Sequence, residues 1–213
     1  MFGRRVGMSA TGVFKTHVAA YFFVGVLFVT GVAFGAVAVK GLTADQKSEL
    51  VAYVDTLLRG VVRYTEPVSR AKVFQASLLN NLKTAAALWF LGVTVIGIPL
   101  VLLIVFTRGF TLGFAVAFLV EDMGYRGILF SAAAVLPQNL LAVPAILSLG
   151  VLSLSFSFIL IASRRSGRGI DFLGEFSRYS LLAALLGAAL LASSGVEAVV
   201  TPSLISLIGA GAH

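Results

Sequence analysis

The chain has no cysteine, two histidines and only nine acidic residues in 213 positions. Without thiols there is no disulfide framework, no thiolate metal site and no cysteine nucleophile. His17 stands at the edge of an apolar run and His213 closes the sequence, so neither pairs with a serine at depth. No His-Glu-x-x-His motif occurs, which excludes a zinc protease of that type. No phosphate-binding glycine loop of the Walker type occurs either. Catalysis, cofactors and metals are therefore not expected. Charge is scarce as well: 12% of residues are charged, against about 25% in soluble domains. What fills the space is apolar. Hydrophobic residues make up 59% and mean hydropathy is +1.01, the composition of an integral membrane protein. The net charge of +7 comes from Lys and Arg set between apolar runs. That pattern reads as topology and lipid contact, not nucleic-acid binding.

A helical crossing needs roughly 20 apolar residues. Five stretches qualify or nearly so: 18–39, 84–106, 109–121, 127–162 and 180–200. Together they predict an all-α, polytopic membrane bundle of about five spans, with residues 1–213 as one membrane domain. The small-residue run Ala36-Val37-Ala38 has the look of a signal-peptidase site, but the apolar run before it is longer than a signal core. The fourth stretch holds 36 uncharged residues interrupted by Pro137 and Pro144. At 1.5 Å per residue it measures about 54 Å, too long for one straight crossing. It predicts either a re-entrant segment followed by a half-crossing, or one long kinked helix.

Basic residues in short loops orient such a bundle. Arg4, Arg5 and Lys15 precede the first span, Arg108 stands between the second and third, and Arg164, Arg165, Arg168 and Arg178 follow the fourth. Five spans put all three groups in the cytoplasm, with the N-terminus inside and the 40–83 loop outside. That loop carries seven basic and four acidic residues, a partial departure from the rule.

The loop has structure of its own. Thr43-Ala44-Asp45-Gln46 fits a capping box. From there to Arg63, Leu50, Val54, Leu57, Leu58 and Val61 share one half of a helical wheel. Asp55, Arg59 and Arg63 share the other. This amphipathic extracytoplasmic helix either lies along the bundle or leaflet, or presents those three residues to a partner. Beyond Pro67, residues 68–83 make a second amphipathic approach, with Phe74, Leu78 and Leu82 in one row.

Inside the membrane, Gln138 and Asn139 stand out between the two prolines. One reading makes them glue that bonds freed backbone carbonyls. The other makes them a substrate or ion site in a broken helix. No Asp or Glu falls within the five stretches away from their ends, which weighs toward glue. Gly31/Gly35 and Gly109/Gly113 form two GxxxG pairs, suited to close helix contact within the chain or between two copies. Trp89 and Tyr125 fit interface anchors.

Several motifs in fixed order are familiar. Ser77-Leu78-Leu79-Asn80-Asn81-Leu82-Lys83 comes first, then Leu88-Trp89-Phe90-Leu91-Gly92 and Ile96-Gly97-Ile98-Pro99. Arg108-Gly109-Phe110-Thr111-Leu112-Gly113-Phe114 and Leu136-Pro137-Gln138-Asn139 follow. Their order and spacing resemble the stage II sporulation protein M family, over residues from about 17 to 203. The resemblance implies a non-catalytic, multi-pass component of the machinery of engulfment in sporulation. It further implies a scaffold in the mother-cell septal membrane that recruits two peptidoglycan hydrolases, stage II sporulation proteins D and P. It marks Asn81, Trp89, Gly92, Gly97, Pro99, Arg108, Gly109, Gly113, Pro137, Gln138 and Asn139 as signature positions. The 40–83 loop shows no such match. A transporter or channel-like subunit built around the fourth stretch is the alternative.

Overall fold

A computed structural model describes residues 10–52, 70–166 and 171–210. Bilayer hydrocarbon offers no hydrogen bonds to a backbone, so a chain this apolar must satisfy its own amides. It does so with five long helices: α1 (Ala10–Lys40), α2 (Arg70–Gly92), α3 (Gly97–Met123), α4 (Tyr125–Ser166) and α5 (Phe172–Ala210). There is no strand among the described residues. Large apolar side chains such as Phe22, Leu140 and Leu173 point outward, as a lipid-facing surface requires.

Four segments are long and apolar enough to cross a membrane: Val18–Lys40, Gly97–Met123, Val135–Ser163 and Phe172–Val199. α2 is more polar and falls short on composition, yet packing gives it the same course. Gly31 and Gly35 of α1 meet Phe106 and then Phe110 of α3, so these helices run in parallel. Leu88 and Gly92 of α2 accept hydrogen bonds from Ser153 and Ser157 of α4, again in parallel. Against α5, Asn81 meets Ser193 while Trp89 meets Ser180, so α2 and α5 are antiparallel. Thus α1, α3 and α5 run one way, α2 and α4 the other, and the chain traverses the bundle five times.

The boundaries differ from those the sequence suggests. The second reversal falls at residues 93–96, not at 107–108. Arg108 lies inside α3, about 17 Å along it from Gly97. The runs 84–106 and 109–121 are therefore not two spans. The first joins half of α2 to half of α3, and the second is the rest of α3. Pro99 fits the start of α3, because it sits in the first turn, where its missing amide would have no helical partner. The turn closes with Thr94 N–H on the Leu91 carbonyl at 3.0 Å and Gly97 N–H on Thr94 at 3.1 Å.

α4 keeps helical geometry from Tyr125 to Ser166 with both prolines inside it, so the single long helix replaces the re-entrant segment. α5 continues to Ala210, beyond the expected end near residue 200.

Three devices hold the bundle. Val24, Leu88, Val101, Val105, Leu149 and Leu190 form its fully buried centre. The GxxxG pairs bring α1 and α3 into backbone contact: a Cβ on Gly31 or Gly35 would strike the Phe106 or Phe110 carbonyl, and one on Gly109 or Gly113 the Phe28 or Val32 carbonyl. Hydroxyls close the end of α2, whose last carbonyls have no helical partners. Ser157 donates to Gly92 at 2.8 Å and Tyr179 to Trp89 at 2.7 Å, while one turn earlier Ser153 shares its hydroxyl between Leu88 at 2.9 Å and Leu149 of its own helix at 2.8 Å. The Tyr179 ring stacks on Phe156 with centroids 4.4 Å apart.

Beyond α1 the capping box forms as read. Thr43 N–H donates to Gln46 Oε1 at 3.0 Å, Gln46 N–H to Thr43 Oγ1 at 3.4 Å, and residues 44–52 are helical. Lys47 pairs with Glu121 near the end of α3. Asp55, Arg59, Arg63 and Pro67 lie outside the described residues.

Candidate functional site: a charged cavity within the bundle

All five helices line a cavity of about 410 Å³, and four of them give it polar side chains. α2 supplies Ser77, Asn80 and Asn81, whose spacing of three and four places them on one helical face. α3 supplies Arg108 and Thr111, α4 supplies Gln138 and Asn139, and α5 supplies Glu197. Phe28, Ala142 and Ile146 add apolar wall.

Asn81 is almost fully buried and its amide nitrogen is fully used. It donates to the Leu190 carbonyl at 3.3 Å, to Ser193 Oγ at 3.2 Å and to Ser194 Oγ at 2.9 Å. A buried amide without such partners is costly, so these contacts fix α2 against α5. Arg108 is half-buried. Its guanidinium donates to Thr84 Oγ1 and, at 3.4 Å, to the Asn80 carbonyl. Across the cavity, Gln138 is oriented with its amide nitrogen toward Glu197 and donates to both carboxylate oxygens, at 3.2 Å to Oε1. Asn139 donates to the Val135 carbonyl one turn back at 2.7 Å.

Neither amide bonds a carbonyl that a proline frees. Those carbonyls belong to Ala133 and Leu140, four residues before Pro137 and Pro144. Gln138 instead links α4 to α5, and Asn139 bonds within α4. The carboxylate that the sequence places near the end of the fifth stretch belongs to the same site. Because α5 runs on to Ala210, Glu197 sits inside the helix and faces the cavity.

The cavity gathers Asn81, Arg108, Gln138 and Asn139 from the signature positions. The others serve packing. Trp89 donates from Nε1 to Ser180 Oγ at 3.2 Å. Gly92 ends α2, Gly97 and Pro99 open α3, Gly109 and Gly113 meet α1, and Pro137 precedes Gln138 in α4. Asn80, Thr84, Thr111 and Glu197 join the site without standing out in the sequence as functional residues. Ser77, Asn80, Asn81 and Thr84, spaced three and four apart on the amphipathic approach, are a usable signal. No cluster of three metal-ligating side chains occurs among the described residues.

No curated protein and no solved structure matches the chain. The description "stage II sporulation protein M" belongs to the family that matches residues 24–202. That match reaches into all five helices and includes every residue named above as lining the cavity. The chain therefore belongs to the stage II sporulation protein M family.

Proposed function

We propose that this multi-pass, sporulation-related membrane protein is a non-catalytic scaffold of engulfment, holding peptidoglycan hydrolases at the septal membrane. The observation that carries the reading is the family match over residues 24–202. The partners proposed from the family resemblance are stage II sporulation proteins D and P. The N-terminus is cytoplasmic in this reading. Arg164, Arg165, Arg168 and Arg178 support it: in sequence they fall between the end of α4 and the first turns of α5, and α4 ends on the side where α1 begins. The segment between α1 and α2 then faces the space where wall hydrolases work. Affinity purification from sporulating cells tests the scaffold. Recovery of both hydrolases is expected, and their absence from a stable, detergent-soluble preparation overturns it. Reversing Arg59 and Arg63 to Glu is expected to reduce that recovery without lowering membrane insertion, because charges set partner choice and on-rate.

The cavity favours a second reading, a transporter or channel-like subunit, because ionisable side chains at membrane depth often mark solute pathways. Solute flux in proteoliposomes above that of protein-free vesicles supports this reading over the scaffold.

A further inference from the structure

Two opposite charges line the cavity without pairing to each other. Arg108 spends donors on Thr84 and the Asn80 carbonyl, both uncharged. Glu197 accepts from Gln138, also uncharged. Among the described residues the ion pair is Lys47 with Glu121, at another place in the molecule. A guanidinium has five N–H donors and a carboxylate about four acceptor positions, so both keep unused capacity. An Arg at mid-helix in a membrane span is expensive, so one that faces a cavity rather than a countercharge needs a reason.

The charge pattern selects the guest. A simple anion would satisfy Arg108 and be repelled by Glu197. A simple cation would do the reverse. A group that carries both signs satisfies both walls. Asn80 and Thr111 add neutral polar contacts, and both are exposed, so a guest reaches them without parting the helices. The volume of about 410 Å³ lies within the range of small-molecule pockets. Residues from three of the motif runs that mark the family, 77–83, 108–114 and 136–139, meet at this one place. We infer that the cavity binds a zwitterionic group, an ammonium joined to a phosphate or carboxylate, with the anionic part on Arg108 and the ammonium on Glu197. The group comes either from an aminophospholipid headgroup or from a small soluble zwitterion. The site stands whether or not the scaffold reading does.

The test uses the full chain, purified, with thermal unfolding followed through Trp89, its single tryptophan. In detergent it is titrated with O-phosphoethanolamine, and separately with inorganic phosphate and with ethanolamine. In nanodiscs, phosphatidylglycerol alone is compared with phosphatidylglycerol plus phosphatidylethanolamine. A probe at a hundred times its Kd should raise the midpoint by roughly 5–10 °C. A rise with O-phosphoethanolamine that neither half produces supports a soluble zwitterion. A rise only in the phosphatidylethanolamine discs supports the headgroup. Arg108→Gln and Glu197→Gln should each abolish the rise, while Arg108→Lys keeps part of it. The wild-type series decides alone if those variants fail to fold. Equal shifts with phosphate alone, a shift unchanged in folded Gln variants, or no shift in any arm overturns the proposal. So does a double Gln variant more stable than either single one with no ligand dependence, which marks an internal charge couple.

Discussion

Asn81 shows how much one side chain settles in an apolar bundle. It is 6% exposed, and its three hydrogen bonds reach a carbonyl and two hydroxyls on α5. Asn81→Leu removes the donor and leaves Ser193 and Ser194, both fully buried, without it. A loss of about 1–3 kcal/mol is expected: both hydroxyls keep their own bonds to the Leu190 carbonyl but lose the buried amide they accept from, and α2 loses its polar link to α5. Asn139→Leu removes one bond within α4 and should cost less, about 0.5–1.5 kcal/mol. Unfolding midpoints of the two variants in one detergent check the order, and a smaller loss for Asn81→Leu contradicts it. Neither role is legible in sequence. An amide in an apolar run signals a partner but does not name it. Arg108 is misplaced by sequence for a related reason: a lone cation between apolar runs normally marks a loop, and only the Thr84 hydroxyl and the Asn80 carbonyl make its place inside α3 intelligible.

At the level of helices, the glycine pairs are the most readable feature, and their fulfilment is physical. The α1–α3 contact is set by backbone approach, so the side chain at each of its glycines is limited to hydrogen. Gly35→Ala places a methyl group on the Phe110 carbonyl and should destabilise by about 1–3 kcal/mol through overpacking. Gly25→Ala is the control on the same helix, because nothing lies within 4 Å of its added Cβ. It should shift stability by less than about 0.5 kcal/mol. Equal losses in the two variants, measured by thermal unfolding, would contradict a close α1–α3 seam. The prolines are less readable than the glycines. Pro99 is a helix opener, and Pro137 and Pro144 are carried inside α4. A local rule about proline cannot report whether packing on neighbouring helices holds a strained helix together.

For the whole molecule, five traverses follow from helix directions even though hydropathy alone supports four. Composition misses α2 because it carries Arg70, Lys72, Gln75 and Lys83 besides Asn80, Asn81 and Thr84, the last three of which serve the cavity and its partners. The same alternation predicts labelling. Asp45 stands just past the end of α1, and Arg165 stands near the end of α4, so the two lie at opposite ends of the bundle. With no native cysteine, Asp45→Cys and Arg165→Cys report each end without background. If the basic cluster around 164–178 is held in the cytoplasm, the thiol of Asp45→Cys reacts with an impermeant maleimide in intact cells. The thiol of Arg165→Cys then reacts only after permeabilisation. The inverse pattern reverses the orientation and leaves the fold untouched. Labelling of both positions in intact cells contradicts the count of five, because the traverses of α2, α3 and α4 lie between Asp45 and Arg165 and an odd number of crossings forces the two to opposite sides.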